Sequence, residues 1–258
     1  MIGIEYRLKT FISPKDGRCL LVDTSAGLSL GVLPGLENYP SAVRAILPQA
    51  NGVVCSPGQI GRLGPLQKTD AALLVRMDWN NTLRKSDFVL PSAHPQRLPI
   101  LTTQDALDLG AEAMISTFLL GFEEEVEAAC LRSTVELALE GKRLGLPLVI
   151  EIQTTGSRVS LPGKAVELGA SYALEGGADV IVVPYPGKSS LKTISQFVSV
   201  PWLLCPSSLQ NARVELEEAL GIGATGLWLG HAIFAEHNLP GLLDEFNRLL
   251  HPEIAAER

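Results

Sequence analysis

Residues 177–183 have the sequence Gly-Ala-Asp-Val-Ile-Val-Val, and this short segment indicates the fold. Its last four residues form an uninterrupted apolar run, which is typical of a parallel β-strand that is covered on both faces. The glycine at its start suits the end of a helix, because glycine adopts the left-handed conformation at little cost. The segment therefore predicts a junction between a helix and a buried parallel strand.

Apolar runs of this kind recur along the chain, and helical patterns separate them. The eight runs are Cys19–Val22, Gly52–Cys55, Ala71–Arg76, Ala113–Ser116, Pro147–Ile152, Asp179–Val183, Pro201–Cys205 and Gly226–Leu229. The clearest helical pattern covers Glu123–Leu144, with Gly145 as its stop signal. Eight alternating units favour a closed (β/α)8 TIM barrel of the α/β class over an open doubly wound sheet.

One segment interrupts this rhythm. Residues 80–99 contain three prolines and show no helical period. We therefore predict a single TIM-barrel domain over residues 1–258, with a long loop at 80–99 after the third strand and a short frayed tail after Pro252. Such a loop would lie at the end of the barrel where the active sites of this fold are built.

Composition excludes several classes of function. The net charge is −7 and there is no basic run, so we expect neither nucleic acid nor a membrane surface as a partner. No signal sequence or long apolar span is present, which predicts a cytoplasmic protein. The four cysteines are far apart, so neither a disulfide framework nor a zinc site is expected, and no other metal-binding motif is present.

In a TIM barrel, the functional side chains follow the C-terminal ends of the strands. The polar residues at those ends are Asp23, Ser56, Arg76, Asp78, Ser116, Thr117, Glu151, Gln153, Tyr185, Lys188, Cys205, Ser207, Ser208 and His231. Ten residues are the candidates for catalysis and binding: nine members of this set, namely Asp23, Arg76, Glu151, Gln153, Tyr185, Lys188, Ser207, Ser208 and His231, together with Gly230.

Two carboxylates are the main catalytic candidates. Asp23 follows three apolar residues, so it is either a base or orienting group, or an acid that closes the loop after the strand. Glu151 and Gln153 alternate with isoleucines and therefore share one face of their strand. If that face is the barrel interior, Glu151 needs a partner, and Arg76 is the candidate, either as part of the site or as a core ion pair.

Anion binding is the second possibility. Tyr185 and Lys188 lie in a loop with two serines, where the lysine either holds a phosphate or is simply solvated; the glycine spacing of a nucleotide-binding loop is absent. Ser207 and Ser208 follow the seventh strand. Gly230-His231 follows the eighth, so both are at the ends where barrels often bind phosphate. His231 could contact the phosphate or act as a general acid.

Across residues 17–250 the chain resembles the archaeal-type class I fructose-bisphosphate aldolases and their aminodideoxyheptulosonate synthase and autoinducer-thiolase relatives. The segments that carry the resemblance are Val22-Asp23, 31–37 (Gly-Val-Leu-Pro-Gly-Leu-Glu), 109–113 (Leu-Gly-Ala-Glu-Ala), 145–148 (Gly-Leu-Pro-Leu), 177–181 (Gly-Ala-Asp-Val-Ile) and 230–234 (Gly-His-Ala-Ile-Phe). The resemblance implies a barrel that forms homo-oligomers and acts as a metal-independent lyase without a cofactor.

The departures from the family pattern concern its catalytic residues. The family's Schiff-base lysine in the sixth strand is matched by Val182, and its acid/base tyrosine in the fifth strand by Gln153. Pro206-Ser207 and Gly230-His231 replace the Gly-Gly and Gly-Arg of its phosphate site. Asp23 alone carries over. Valine has no amine and forms no iminium.

Three hypotheses follow from these residues. In the first, the chain is a divergent aldolase-superfamily enzyme that acts on a small carbonyl or sugar-like metabolite, with or without a phosphate. Asp23, Glu151, Gln153 and His231 would then serve catalysis, with Lys188 as the nearest substitute for the lost lysine. In the second, the barrel binds a metabolite or a protein partner without catalysis. The third is a different barrel enzyme, such as an isomerase.

Overall fold

A computed structural model describes residues 2–64, 71–92 and 94–252. Eight parallel strands close into a barrel in the order β1-β2-β3-β6-β7-β8-β9-β10, with β10 paired to β1. The barrel strands are β1 (Cys19–Asp23), β2 (Gly52–Cys55), β3 (Ala72–Arg76), β6 (Ala113–Leu119), β7 (Leu148–Gln153), β8 (Val180–Pro184), β9 (Trp202–Cys205) and β10 (Gly226–Leu229). The predicted TIM barrel is confirmed, and each predicted strand is present with shifts of a few residues at its ends.

Helices surround the barrel. They are α1 (Ile2–Phe11), α2 (Gly27–Leu30), α3 (Tyr39–Ile46), α4 (Pro57–Leu63), α5 (Thr103–Asp108), α6 (Glu124–Leu144), α7 (Pro162–Glu175), α8 (Lys188–Phe197), α9 (Ala212–Ile222), α10 (Leu239–Leu250) and a 3₁₀ helix (His231–Ala235). The longest, α6, ends at Gly145, whose φ of 72° is left-handed, as its sequence predicts. Thr102 and Asp105 form a reciprocal capping box at the start of α5.

The lower half of the barrel interior is apolar and closed. Its inward-facing side chains form one buried cluster, which comprises Cys19, Leu21, Val54, Ala72, Leu74, Ala113, Ile115, Val149, Val180, Val182, Leu203 and Trp228. Phe11 of α1 is buried in the same cluster. The Arg7 guanidinium donates to the carbonyl oxygen of Gly145 at 2.9 Å, just before β7 begins. Helix α1 therefore closes the barrel at the end where the strands start.

The segment expected as a long loop has an ordered base. Its ends form strands β4 (Asp78–Asn80) and β5 (Arg97–Pro99), which pair antiparallel. Arg97 donates to the buried carboxylate of Asp78 at 2.8 Å, so an ion pair fixes the two strands to each other. The sequence gives little sign of this ribbon, because each strand has only three residues and β5 ends in a proline.

Other expectations concern the cysteines and the chain end. All four cysteines are free thiols; Cys19, Cys55 and Cys130 are buried, and Cys205 is partly buried. None of the helices in the described ranges has the length and apolar character needed to cross a bilayer. The expected fraying after Pro252 concerns residues 253–258, which lie outside the described residues.

Candidate functional site

A pocket of about 180 Å³ opens at the C-terminal end of the barrel strands. Its lining combines strand ends with loops after β1, β4 and β10 and comprises Asp23, Ser25, Ala26, Leu28, Ser29, Arg76, Asp78, Asn80, Leu83, Thr117, Glu151, Gln153, Cys205, Trp228, Gly230 and His231. Six of the ten residues predicted for catalysis or binding are among them. The strand register brings these six together, since the C-terminal ends of parallel strands meet at one end of a barrel.

Arg76 is the centre of the pocket floor. Its Nη2 donates to Asp23 Oδ2 at 2.8 Å, and its Nη1 donates to Glu151 Oε2 at 2.7 Å. Nε and Nη1 also donate to the hydroxyls of Ser25 and Thr117, each at 3.0 Å. The predicted Arg76–Glu151 pair is confirmed, and it includes a second carboxylate. Two buried carboxylates can remain close together because one guanidinium neutralises part of their charge.

Asp23 has a structural role as well as a place in the pocket. Its Oδ1 accepts hydrogen bonds from the backbone N–H and the hydroxyl of Ser25, at 2.8 and 2.6 Å. These bonds form the turn after β1. The acid therefore closes its loop, as one of the two sequence interpretations has it, and also faces the pocket.

Glu151 is a carboxylate with a raised pKa. Burial raises its pKa above the usual value of 4.5, and the charge of Asp23 raises it further, while Arg76 opposes both effects. Gln153 donates from Nε2 to Glu151 Oε1 at 3.2 Å, and the Thr82 hydroxyl donates to Gln153 Oε1 at 3.2 Å. This chain fixes the orientation of the Gln153 amide. A carboxylic acid whose pKa is raised can release and regain a proton closer to neutral pH than an ordinary one.

Apolar side chains lie beside these polar groups. The Trp228 ring lies 5.9 Å from the Arg76 guanidinium carbon, within the range of a cation–π interaction. Val182 is fully buried and pairs in register with Glu151 of the adjacent strand. Burial, followed by the charges of Glu151, Asp23 and Glu215, raises the pKa of the Cys205 thiol to about 12. The thiol is therefore held in its neutral form.

Four predicted residues lie outside the pocket lining. The Lys188 ammonium pairs with Glu218 Oε1 at 2.9 Å and its side chain is 61% exposed. The Tyr185 hydroxyl donates to Glu218 Oε2 at 2.5 Å, and this bond raises the pKa of Tyr185 to about 12. Ser207 donates to Glu215, and the Ser208 hydroxyl accepts from the backbone of Asn211 at 3.2 Å.

Gly230 and His231 reach the rim of the pocket from the end of β10. His231 begins the five-residue 3₁₀ helix and is half-buried. Within residues 2–64, 71–92 and 94–252, no group of three or more His, Cys, Asp or Glu side chains is arranged to hold a metal ion.

The sequence pattern did not reveal several residues that support the site. Arg97, Ser25 and Thr82 act through Asp78, Arg76 and Gln153, respectively. Of these three residues, only Ser25 could have been found from the sequence, because a serine two residues after an aspartate often closes a turn with it.

This chain is similar to a known group of proteins. A model of the DeoC/LacD family of aldolases matches residues 20–236. The 2-amino-3,7-dideoxy-D-threo-hept-6-ulosonate synthase of Halobacterium salinarum is 26% identical over 88% of this chain and 84% of its own. The 3-hydroxy-5-phosphonooxypentane-2,4-dione thiolase of Escherichia coli K12 is 21% identical, and the match covers 99% of this chain and 85% of the thiolase. The crystal structure of an archaeal fructose 1,6-bisphosphate aldolase has a TM-score of 0.79 at 18% identity, covering 97% of this chain and 99% of its own.

Proposed function

The chain belongs to the DeoC/LacD family of aldolases, and we propose that it is an enzyme that acts on a small carbonyl or sugar-like metabolite without a Schiff-base lysine in strand β8. The observation that carries this proposal is the convergence of Asp23 and Glu151 on Arg76 in the pocket at the C-terminal end of the barrel. A barrel that had lost all chemistry would not need one buried and one largely buried carboxylate there, because unpaired or partly paired charges are costly to bury.

The chemistry does not use an iminium at the family position. Val182 occupies that position, and a valine offers no nitrogen. None of the described lining residues is a lysine. Lys188, the nearest substitute along the chain, is exposed and paired with Glu218, and exposure works against the lowered pKa that a reactive amine needs.

Glu151 is the proposed proton carrier. In the direction of aldol cleavage, its carboxylate takes the proton from the hydroxyl on the carbon β to the substrate carbonyl. The C–C bond then breaks, a new C=O group forms, and the electron pair moves into an enolate. Returning the proton from Glu151 to the enolate carbon completes the cycle without any net change in the enzyme. The raised pKa of Glu151 suits both steps.

The other pocket residues position the reactants. Gln153 and His231 donate hydrogen bonds to the carbonyl oxygen, on which negative charge develops. Asp23 is held by the Ser25 turn and keeps Arg76 in place, so it serves as a positioning residue. The same groups would also carry an enolisation alone, which is the reaction of a keto–aldose isomerase.

Proton exchange tests this proposal without knowledge of the natural substrate. The protein is incubated in D2O with small hydroxyketones, and loss of the α-proton signal is followed by ¹H NMR. We expect exchange with the wild-type protein and loss of exchange with Glu151→Gln, while Glu217→Gln, an exposed control, keeps it. Parallel reduction with borohydride should leave the intact mass unchanged. A lysine adduct, or exchange that survives in Glu151→Gln, would refute the mechanism; ligand binding without exchange would support the non-catalytic barrel.

A further inference from the structure

We infer that the pocket selects an uncharged carbonyl compound without a phosphate group, and that Glu215 is the residue that excludes phosphate. This inference deepens the proposed function and rests on it. Two observations support the inference. One is that a carboxylate of the protein already accepts hydrogen bonds from Ser207, after β9. The other is the excess of carboxylates in and around the pocket.

The two hydrogen-bond donors of Ser207, in the loop after β9, are already used. TIM barrels that bind phosphate commonly do so with the loops after their last two strands, which here are β9 and β10. Ser207 follows β9, and both its backbone N–H and its hydroxyl donate to the carboxylate of Glu215, at 2.8 and 2.5 Å. An internal carboxylate thus takes the place of an external anion.

Glu215 is fixed in this position. It belongs to the first turn of α9, where a negative charge interacts favourably with the helix dipole. Its side chain is buried, with 6% of the residue exposed. The Asn211 side chain donates to the Ser207 hydroxyl oxygen at 3.2 Å, which helps to hold the loop after β9 in place. An incoming phosphate would have to displace a buried, doubly hydrogen-bonded carboxylate.

The charge of the pocket opposes anions as well. Three carboxylates line it, those of Asp23, Asp78 and Glu151. The two guanidinium groups paired with them, of Arg76 and Arg97, leave one negative charge in excess. All three nitrogens of Arg76 already donate within the protein. A phosphate group would enter a field of its own sign.

The loop after β10 offers no compensation of comparable strength. Gly230 leads into a 3₁₀ helix of five residues, which is too short to provide a substantial helix dipole. Among the lining residues that follow β10, no side chain is a lysine or an arginine. A neutral hydroxyketone avoids this electrostatic cost and can still use the hydroxyl, amide and imidazole groups of the pocket.

Binding alone tests the inference, with dihydroxyacetone and its phosphate as a matched pair and inorganic phosphate as a third ligand. Dihydroxyacetone, dihydroxyacetone phosphate and inorganic phosphate are titrated into the wild-type protein, and binding is followed by ligand-observed NMR. We expect dihydroxyacetone to bind more tightly than either phosphate compound. In Glu215→Ala, which frees both Ser207 donors and removes a charge, inorganic phosphate should bind about tenfold or more tightly than to wild type. Glu217→Gln, on the exposed side of the same helix, should behave as wild type.

Tighter binding of dihydroxyacetone phosphate than of dihydroxyacetone to the wild-type protein would overturn the inference, and so would binding of neither compound. No gain in phosphate binding by a folded Glu215→Ala protein would remove Glu215 as the determinant. If that variant does not fold, the wild-type comparison still decides the ligand preference. Because this readout needs no turnover, it separates the two failures: a protein that shows the preference but no proton exchange would refute the proposed function, while the measured preference for the uncharged ligand would remain.

Discussion

Asp23 and Glu151 extend from opposite strands of the barrel, β1 and β7, and a single guanidinium bridges them at 2.8 and 2.7 Å. Arg76 comes from β3, two strands away from each carboxylate around the ring. The bridge therefore crosses the barrel and forms a polar layer above the apolar interior. Because two negative charges share one positive charge, the layer is sensitive to the loss of its cation.

Replacing Arg76 with methionine should destabilise the fold strongly. Both carboxylates would remain buried without their partner, which typically costs about 3–5 kcal/mol. Urea unfolding followed by circular dichroism measures the loss. The double variant Arg76→Met/Glu151→Gln should recover part of it, since one of the two uncompensated charges is gone. Equal stability of the single and double variants would show that packing, not charge, accounts for the effect.

The activity should depend on pH through Glu151. Its pKa is raised in the folded protein, so the base form appears only as the pH rises through a value above the usual 4.5. The acid limb of the pH–rate profile of proton exchange should therefore lie above the ordinary carboxylate range. The same raised pKa contributes stability below pH about 4.5 that is lost as the pH rises through the folded-state value. A profile whose acid limb has an ordinary carboxylate midpoint would contradict the assignment.

The barrel was predictable because its signal is local. Each buried strand appears as an apolar run, and left-handed glycines follow helices as expected, with φ of 81° at Gly110 and 94° at Gly177. The Arg76–Glu151 pair was predictable from burial, since a buried carboxylate requires a partner. Loop direction was not predictable: whether Lys188 turns towards the pocket or towards Glu218 depends on the packing of α8 against α9, which no residue pattern encodes.

A lysine at position 182 should provide a trappable amine. Val182 faces the barrel interior beside Glu151, and a longer side chain there would extend towards the pocket, where burial lowers the pKa of an amine. We expect Val182→Lys to gain a borohydride-stable adduct with dihydroxyacetone, detected by intact mass and peptide mapping. Val183→Lys, which faces the helices, should unfold more easily and gain no adduct. If neither variant formed an adduct, the result would contradict the prediction that a side chain at position 182 reaches the pocket.

Two glycine substitutions should have opposite effects on stability. A Cβ on Gly226 would lie 1.9 Å from the carbonyl oxygen of Cys19 in the neighbouring strand, so Gly226→Ala should destabilise the barrel by several kcal/mol, on the order of an overpacked core. Gly221 lies in α9 with no atom near its missing Cβ. Gly221→Ala should therefore raise the free energy of unfolding by about 0.5–1 kcal/mol. Thermal unfolding of both variants checks this pair, and equal shifts would contradict it.

Lys188→Met should leave catalysis nearly unchanged. The lysine is exposed and pairs with Glu218 outside the pocket, and such pairs contribute about 0–1 kcal/mol to stability. Steady-state turnover within twofold of wild type is the expected result. A loss of turnover by a large factor would return Lys188 to the list of catalytic residues.

The closure of the barrel by α1 also has a consequence for how this chain can diverge. Phe11, Leu21 and Leu203 belong to the apolar interior that lies below the Asp23–Arg76–Glu151 layer. Below this layer, whether a substitution is tolerated should depend on the volume of the new side chain alone, whatever compound binds in the pocket. Substitutions above it should be accepted or rejected by the substrate. Two orthologues with different substrates would then share their lower interior and differ above Arg76, so the two halves would evolve at different rates.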